Sequence, residues 1–374
     1  MTPSSSPTVS PAVPVNMTKP KALVAMSGGV DSSVAALFMQ QAGYECIGAT
    51  MHLFHNDTVG MAPEKACCSL EDAEDARSVA HRLGMPHYVF NFTQEFRTQV
   101  IDRFISAYEH GATPNPCIDC NRYLKFERFY RRALELGCDC VVTGHYARIE
   151  EENGRFLLKK ALDPSKDQSY VLYAMTQDQL AHTRFPLGAY SKEQIRQIAA
   201  DHGFLNAKKH DSQDICFVPD GDYAQVIESY TGKTYPPGNF TDREGHVLGQ
   251  HRGMIRYTIG QRKGLGLALP EPMYVCEKRM ADNTVVLGRN ADLFTRDLDA
   301  DDCNWIAWDV PPETFRVKAR VRYQQREQWA TVTPTGENTF HLTFDEPQRA
   351  ITLGQAVVLY DGDTVVGGGT ICGT

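Results

Sequence analysis

VAMSGGVDSS, residues 24–33, is the stretch whose reading decides the fold. An apolar run, KALVAM (21–26), stops at Ser27 and two glycines, and DSSVAALFMQQAG (31–43) comes next. A short apolar run bounded by glycines reads as a buried strand. The segment after the glycines reads as a helix, with Asp31 or Ser32 placed to cap its start and Gly43 to end it. A glycine turn between strand and helix points backbone N–H groups at whatever sits above the helix, and the helix dipole adds to their pull on an anion. The loop suits a polyanion, yet it holds no lysine and carries an acid, Asp31, instead.

This is not a Walker A loop, because the G-x-x-x-x-G-K-[ST] spacing is absent. The chain's one GKT, residues 232–234, has Ile227 where the first glycine belongs. Without a loop lysine, Mg²⁺ is the natural counter-charge for phosphates, and Asp31 can hold it directly or through water. The bland alternative is a plain glycine turn into a capped helix. Seven residues, SGGVDSS, in a strand–helix setting favour ATP.

Further runs read as strands at 46–54, 86–92 and 140–146. Helices fit between them at 69–83, 93–111 and 122–137, the second with apolar residues at 96, 100, 101, 104, 105 and 108. Alternation of this kind predicts an α/β fold with a doubly wound parallel sheet and right-handed crossovers. Beyond 218 the chain becomes turn-rich, and beyond 270 short alternating segments predict a β-barrel or sandwich. The expected organisation is a disordered tail (1–19), a catalytic α/β domain (20–217), a small central domain (218–298) and a C-terminal β-barrel (299–374).

Composition sets bounds. The 374 residues are 42% hydrophobic and 22% charged, as in soluble globular proteins. No apolar run reaches the roughly 18 residues that span a bilayer, so no membrane partner is expected. The Pro- and Ser-rich start lacks the regions of a signal peptide, and eleven cysteines then read as reduced, cytoplasmic thiols. A net charge of −8 means that a polyanion must be held by local basic patches.

NPCIDCN places Cys117 and Cys120 in a loop ahead of a helix carrying Arg122, Lys125, Arg128, Arg131 and Arg132. Positive charge and a helix N-terminus both lower a thiol's pKa. Zinc would need a second pair, and CDC (138–140) lies partly in an expected core strand. An iron–sulfur site from Cys117, Cys120 and a distant third cysteine stays open, as does a structural pair. A second segment, KKHDSQDICFVPDGDY (208–223), sets Cys216 between polar residues and an apolar pair.

The loop resembles the signature of the N-type ATP pyrophosphatases, the PP-loop family, which adenylate a substrate and release pyrophosphate. That resemblance implies an adenine nucleotide alpha hydrolase-like fold. It implies nucleotide contacts from Ala25, Met26, Ser27, Gly28, Gly29, Val30, Asp31 and Ser32, from Met51, and from Gly144 in TGHY. From about Lys21 onward, MSGGVDSSVAA, TPNPCIDCNRYLKF, TGHYAR, DQSYVLY, FPLG, DSQDICF and YTIGQRKGLG resemble, in order and spacing, the tRNA-specific 2-thiouridylases. These enzymes place sulfur on C2 of the wobble uridine of Lys, Glu and Gln tRNAs.

The resemblance implies that Cys216 receives a persulfide from a relay protein or cysteine desulfurase. Cys120 is then the second thiol, attacking that persulfide or closing a disulfide with Cys216. Asn115, Pro116 and Cys117 would lie against the target base. Lys166, Asp167, Gln168, Arg322 and Tyr323 would contact tRNA. A common family form has aspartate where this chain has Cys117, which leaves the proton acceptor open; Asp119 is nearby. An iron–sulfur variant would use Cys117, Cys120 and Cys216 as ligands.

Two acid-free basic stretches, 252–263 and 315–326, fit a phosphate-backbone footprint. In the second, Arg316, Lys318, Arg320 and Arg322 alternate with apolar residues, which puts the charges on one strand face. Two other readings compete: a PP-loop ligase forming amides or amidines, and a nucleotide-binding protein without catalysis. The first has no need for Cys120 and Cys216.

Overall fold

The computed structural model describes residues 19–54, 70–209, 215–218 and 221–374. The expected tail falls outside them up to residue 18, as do Asp211–Asp214 ahead of Cys216.

Five strands form a parallel sheet: β1 (Lys21–Ala25), β2 (Glu45–His52), β3 (His87–Asn91), β4 (Cys140–Val142) and β7 (Thr183–Arg184), in the order β3-β2-β1-β4-β7. The apolar run of β1 is continuous because both faces are covered. Ala22 and Val24 pack with Val34 of α1 (Val30–Gln41) and Val79 of α2 (Leu70–Arg82), while Leu23 meets Phe96, Phe104 and Phe129 on the other face. The six apolar positions expected on the 93–111 helix are all buried.

Two helical runs depart from ordinary winding. A π-helical turn at Arg97–Ile101 interrupts the first. The basic helix read from the sequence is π-helical over Cys120–Arg128. The fourth strand also ends sooner than expected, at Val142. β1 is its central partner, and the pairing stops at Val24↔Val142 because β1 turns into the glycine loop just beyond.

A hairpin of β5 (Ala147–Glu152) and β6 (Arg155–Lys160) comes after β4. Asn153 and Gly154, both at positive φ, form its two-residue turn. Its outer edge does not stay within the first domain. Leu158 and Lys159 pair with Val365 and Thr364 of β17 (Thr364–Gly373).

The central segment packs β8 (Gly238–Thr241), β9 (Val247–His251), β10 (Tyr274–Arg279) and β11 (Thr284–Gly288) around Phe240, Tyr257 and Val285. After it come β12 (Phe294–Trp305), β13 (Phe315–Arg320), β14 (Gln328–Gly336), β15 (Thr339–Arg349) and β16 (Ala356–Asp361). With β17 they run β12-β15-β14-β13-β16-β17, and β12 pairs back onto β17 to close a barrel. The expectation of a C-terminal barrel holds.

Candidate functional site

Strand order reverses beside β1, and ligands of open α/β sheets bind where that happens, beyond the C-terminal strand ends. The glycine loop sits there. Gly28 has φ +75, and a Cβ on it would lie 2.3 Å from the Asp72 carbonyl oxygen. Gly144, in the loop after β4, comes so close to the first turn of α1 that a Cβ would be 2.9 Å from the Ser32 nitrogen. Ser32 Oγ accepts from the Ser27 N–H at 3.2 Å and donates to the Gly29 carbonyl at 3.1 Å, which fixes the turn from inside.

The predicted nucleotide residues Ala25–Ser32 and Gly144 are therefore brought together. Met51 stands on the neighbouring strand, half-buried against the core. The side chains of Met26, Val30 and Ser32 are buried, which leaves their backbone groups as the part open to a ligand.

The cap was misassigned. Gly29 is the N-cap of α1, without a side-chain cap bond, and Asp31 lies in the first turn. Its carboxylate is drawn elsewhere: Lys192 Nζ donates to both oxygens at 2.7 Å, and the Tyr146 hydroxyl donates to Oδ1 at 2.8 Å. Both Asp31 oxygens are thus engaged by these two side chains. Lys192 and Tyr146 went unread because they lie 161 and 115 residues from Asp31.

A third brace comes from the segment leading to Cys216. Asn206 is buried, and its amide donates to the Gly28 carbonyl and to Ser33 Oγ, both at 2.9 Å. Lys209 Nζ holds Asp72 at 2.6 Å and Asp75 at 2.7 Å. Asp72 in turn sits against Gly28.

Cys120 and Cys216 both border the core cluster that contains Phe96, Phe104 and Phe217. Cys120 is a thiol rather than half of a disulfide. Burial pushes its pKa up, against the pull of Lys125, so the low pKa expected from nearby positive charge is not found. Desolvation outweighs the helix terminus and the cations here.

Asn115 caps the short helix that begins at Pro116, accepting from the Cys117 N–H at 3.1 Å. Pro116 is buried and Cys117 exposed. Asp119 faces Arg103 at 3.5 Å, and burial raises its carboxyl to about 6. Among the described residues no group of three or more His, Cys, Asp or Glu is arranged to hold a metal. Cys117, Cys120 and Cys216 therefore do not form a cluster nest in this structure, and Cys138 and Cys140 are core thiols.

Beside β4, His145 is buried, with Nδ1 2.7 Å from Thr143 Oγ1 and Nε2 3.5 Å from Lys125 Nζ. Desolvation and the Lys125 charge hold its pKa well below the usual imidazole range.

Of the residues expected to touch tRNA, Asp167 and Tyr323 are tied together and Gln168 is held by bonds within the fold. The Tyr323 hydroxyl donates to the Asp167 carbonyl at 3.1 Å, and Gln168 accepts from the Tyr146 N–H at 2.9 Å. Asp167 is buried and takes the Ala161 and Ser169 N–H groups, each at 3.2 Å. Cys117 lies near enough to Tyr323 to contribute to the raised pKa of its phenol, after burial and Asp167.

Arg316, Lys318 and Arg320 share one face of β13, as alternation requires, but Arg322 falls beyond the strand's end at Arg320, and two of the charges are paired with acids. Arg316 pairs with Asp345 at 2.6 Å, and Arg320 with Glu327 at 2.8 Å and Asp167 at 3.6 Å. Arg322 donates to the Ala350 carbonyl at 2.7 Å. In the other stretch Arg256 pairs with Glu228 at 2.6 Å.

A glycine loop without the Walker lysine, at the reversal of a doubly wound sheet, fits the PP-loop class of ATP-using enzymes. Comparison with known proteins narrows this. The description "tRNA methyl transferase HUP domain" matches residues 20–220, "tRNA methyl transferase PRC-barrel domain" 224–289 and "Aminomethyltransferase beta-barrel domain" 295–371. A protein of Clostridioides difficile (strain 630) is 51% identical over 94% of this chain and 98% of its own length. One from Acetivibrio thermocellus is 50% identical over 95% and 100%, and one from Moorella thermoacetica 52% over 93% and 98%. All three are named tRNA-specific 2-thiouridylase MnmA. The chain belongs to the tRNA-specific 2-thiouridylase family.

Proposed function

We propose that this protein is an ATP-dependent tRNA-uridine 2-sulfurtransferase that makes 2-thiouridine at the wobble position. Half-identity to 2-thiouridylases over nearly the whole chain carries the reading. The glycine loop and the two thiols on one core are the parts that such chemistry needs.

A uracil C2 carbonyl is a poor electrophile. Its oxygen attacks the α-phosphate of ATP, pyrophosphate leaves, and the oxygen becomes part of a good leaving group. The loop amides and the start of α1 stabilise the charge on the departing pyrophosphate. Mg²⁺ bound to ATP would add positive charge there. A persulfide on Cys216, delivered by a sulfur-carrying partner protein, supplies the nucleophile at C2. AMP leaves, and Cys120 accepts the Cys216 sulfur in a disulfide as the transferred sulfur stays on the base. Asn115, Pro116 and Cys117 line the approach to the base, with Tyr323 beside Cys117. Lys166, Gln168 and Arg322 would form the adjoining tRNA surface, with the buried Asp167 behind them accepting the Ala161 and Ser169 N–H groups. No described helix is long and apolar enough to cross a membrane, and the reaction belongs in the cytoplasm.

The test combines ATP, a persulfide donor and unmodified tRNA, with nucleoside analysis for 2-thiouridine. Cys216→Ser should abolish the product while tRNA-dependent pyrophosphate release continues. ATP binding without tRNA-dependent pyrophosphate release would favour a non-catalytic binder. AMP formed together with an amidated product would favour a ligase. Iron-free, colourless protein with full activity would remove the cluster variant.

A further inference from the structure

The segment that carries Cys120 is π-wound from that residue onward, so its placement depends on what holds it rather than on regular helix geometry. The two residues after the thiol are anchors. Asn121 is buried, and its amide donates to the Val171 carbonyl at 3.0 Å. Arg122 reaches out of the first domain. Its guanidinium donates to both carboxylate oxygens of Asp302 on β12, one of the two bonds at 3.0 Å. Such a fork fixes orientation as well as distance.

Asp302 stands in an irregularity of β12, where the pairing with β17 slips between Asp301 and Asn304, and its φ is +48. Left-handed backbone is uncommon outside glycine, and Asp tolerates it better than most residues. At the same bulge Asn304 donates to the carbonyls of Tyr173 at 2.7 Å and Met175 at 3.0 Å, which ties the bulge to the first domain. On the other side, the Tyr123 ring lies between Arg122 and Arg103, 5.3 and 5.0 Å from their guanidinium carbons, and Arg103 faces Asp119 at 3.5 Å. Both members of the Arg122–Asp302 pair stay partly exposed, so the pair adds little to stability. Its effect is on placement.

We propose that Asp302 is a positioning residue for Cys120: through its fork with Arg122 the barrel sets where the second thiol stands. This rests on the two-thiol reading above, in which attack at C2 leaves the base joined to Cys216 through a disulfide. Cys120 sulfur then attacks Cys216 Sγ. The bond from Cys216 to the transferred sulfur breaks, its electron pair stays on that sulfur, and the Cys120 proton ends on N3 of the released 2-thiouridine. An external thiol resets the Cys120–Cys216 disulfide.

Single-turnover reactions of the persulfide-loaded full chain with ATP and tRNA, without added thiol, test it. Pyrophosphate, free thiolated tRNA, and tRNA carried on protein in a non-reducing denaturing gel are followed together. Asn keeps the left-handed backbone and removes the charge. Asp302→Asn should hold pyrophosphate release within about twofold of wild type and slow release of thiolated tRNA roughly 10- to 100-fold, the range of a small misplacement. A tRNA–protein adduct that dithiothreitol dissolves should accumulate. Asp302→Glu should recover part of the rate. Asp302→Asn/Arg122→Gln should be no slower than Arg122→Gln, because both changes remove one contact.

Wild-type release of thiolated tRNA by Asp302→Asn would overturn the proposal. So would a parallel fall in pyrophosphate and product, which marks a residue that only holds the fold, or a double variant slower than Arg122→Gln. Asp302→Gly, which accepts the same backbone, keeps the test decisive if the Asn variant folds poorly. Cys120→Ser protein that releases thiolated tRNA at the wild-type rate would sink the two-thiol reading itself, whereas normal release by Asp302→Asn would sink only the role of Asp302.

Discussion

Glycine at positions 28 and 144 answers a demand for space. At Gly28 the positive φ and the nearby Asp72 carbonyl act together, so Gly28→Ala should cost about 1–3 kcal/mol of stability, seen as a lower denaturant midpoint. Gly144 is not at positive φ; its constraint is the first turn of α1, where a Cβ would meet the backbone of Asp31 and Ser32 at 2.9 Å and the Asp31 Cβ at 3.0 Å. Gly144→Ala should therefore push the loop after β4 away from α1, at a cost in stability, and cut tRNA-dependent pyrophosphate release by about 100-fold, since a shift near 1 Å is enough. His145 gives a pH signature. Its folded pKa lies below the ordinary value of 6.5, so its contribution to stability is present above that value and is lost as pH falls below it. Between pH 7.5 and 5.5 the wild-type urea midpoint should drop more steeply than that of His145→Asn, by at most about 1.4 kcal/mol per pH unit. The loop itself was legible because its residues are contiguous and each does a local job. Lys192 was not, since a lysine opening a surface-patterned helix shows nothing of the carboxylate it will meet across the fold.

Among elements, β13 shows how alternation identifies a face but not what covers it. Arg320 lies between Asp167, Glu327 and the Tyr360 ring, 4.9 Å from its centre, with Lys160 sharing Glu327 at 2.5 Å. Arg320→Gln should destabilise the fold by about 2–3 kcal/mol, because it strips a buried network of one charge. Arg316→Gln, on an exposed pair, should cost under about 1 kcal/mol. Thermal unfolding of the two variants measures the difference. The period of two was readable; the acids opposite came from strands and loops too far along the chain to foresee. The Cys120–Arg128 segment is a similar case. Its apolar spacing fits a helix, but π winding depends on the packing around it. The β5–β6 hairpin is a different kind of miss. Asn153-Gly154 is a strong hairpin signal and stood in plain view between two alternating runs.

At the scale of the molecule, that hairpin belongs to two parts at once. It leaves the parallel sheet after β4 and finishes on β17 of the barrel, so the first domain and the last share a hydrogen-bonded seam. Arg122 of the π-helical segment and Asp302 of β12 add an ion pair across the same junction. A fragment of residues 20–217 should accordingly fail to give a sharp, cooperative melt, while the whole chain gives one. Recovery of a native-like melt when the fragment is mixed with residues 218–374 would locate the deficit at the seam.

The order of biosynthesis then acquires a consequence. A ribosome finishes the hairpin roughly 200 residues before it makes Val365, so a bare strand edge waits, its backbone unpaired, through much of translation. Premature stop codons late in the message would strand an intact nucleotide fold in a sticky, incompletely sealed form, and chaperones that bind exposed edges should be enriched on nascent chains of that length.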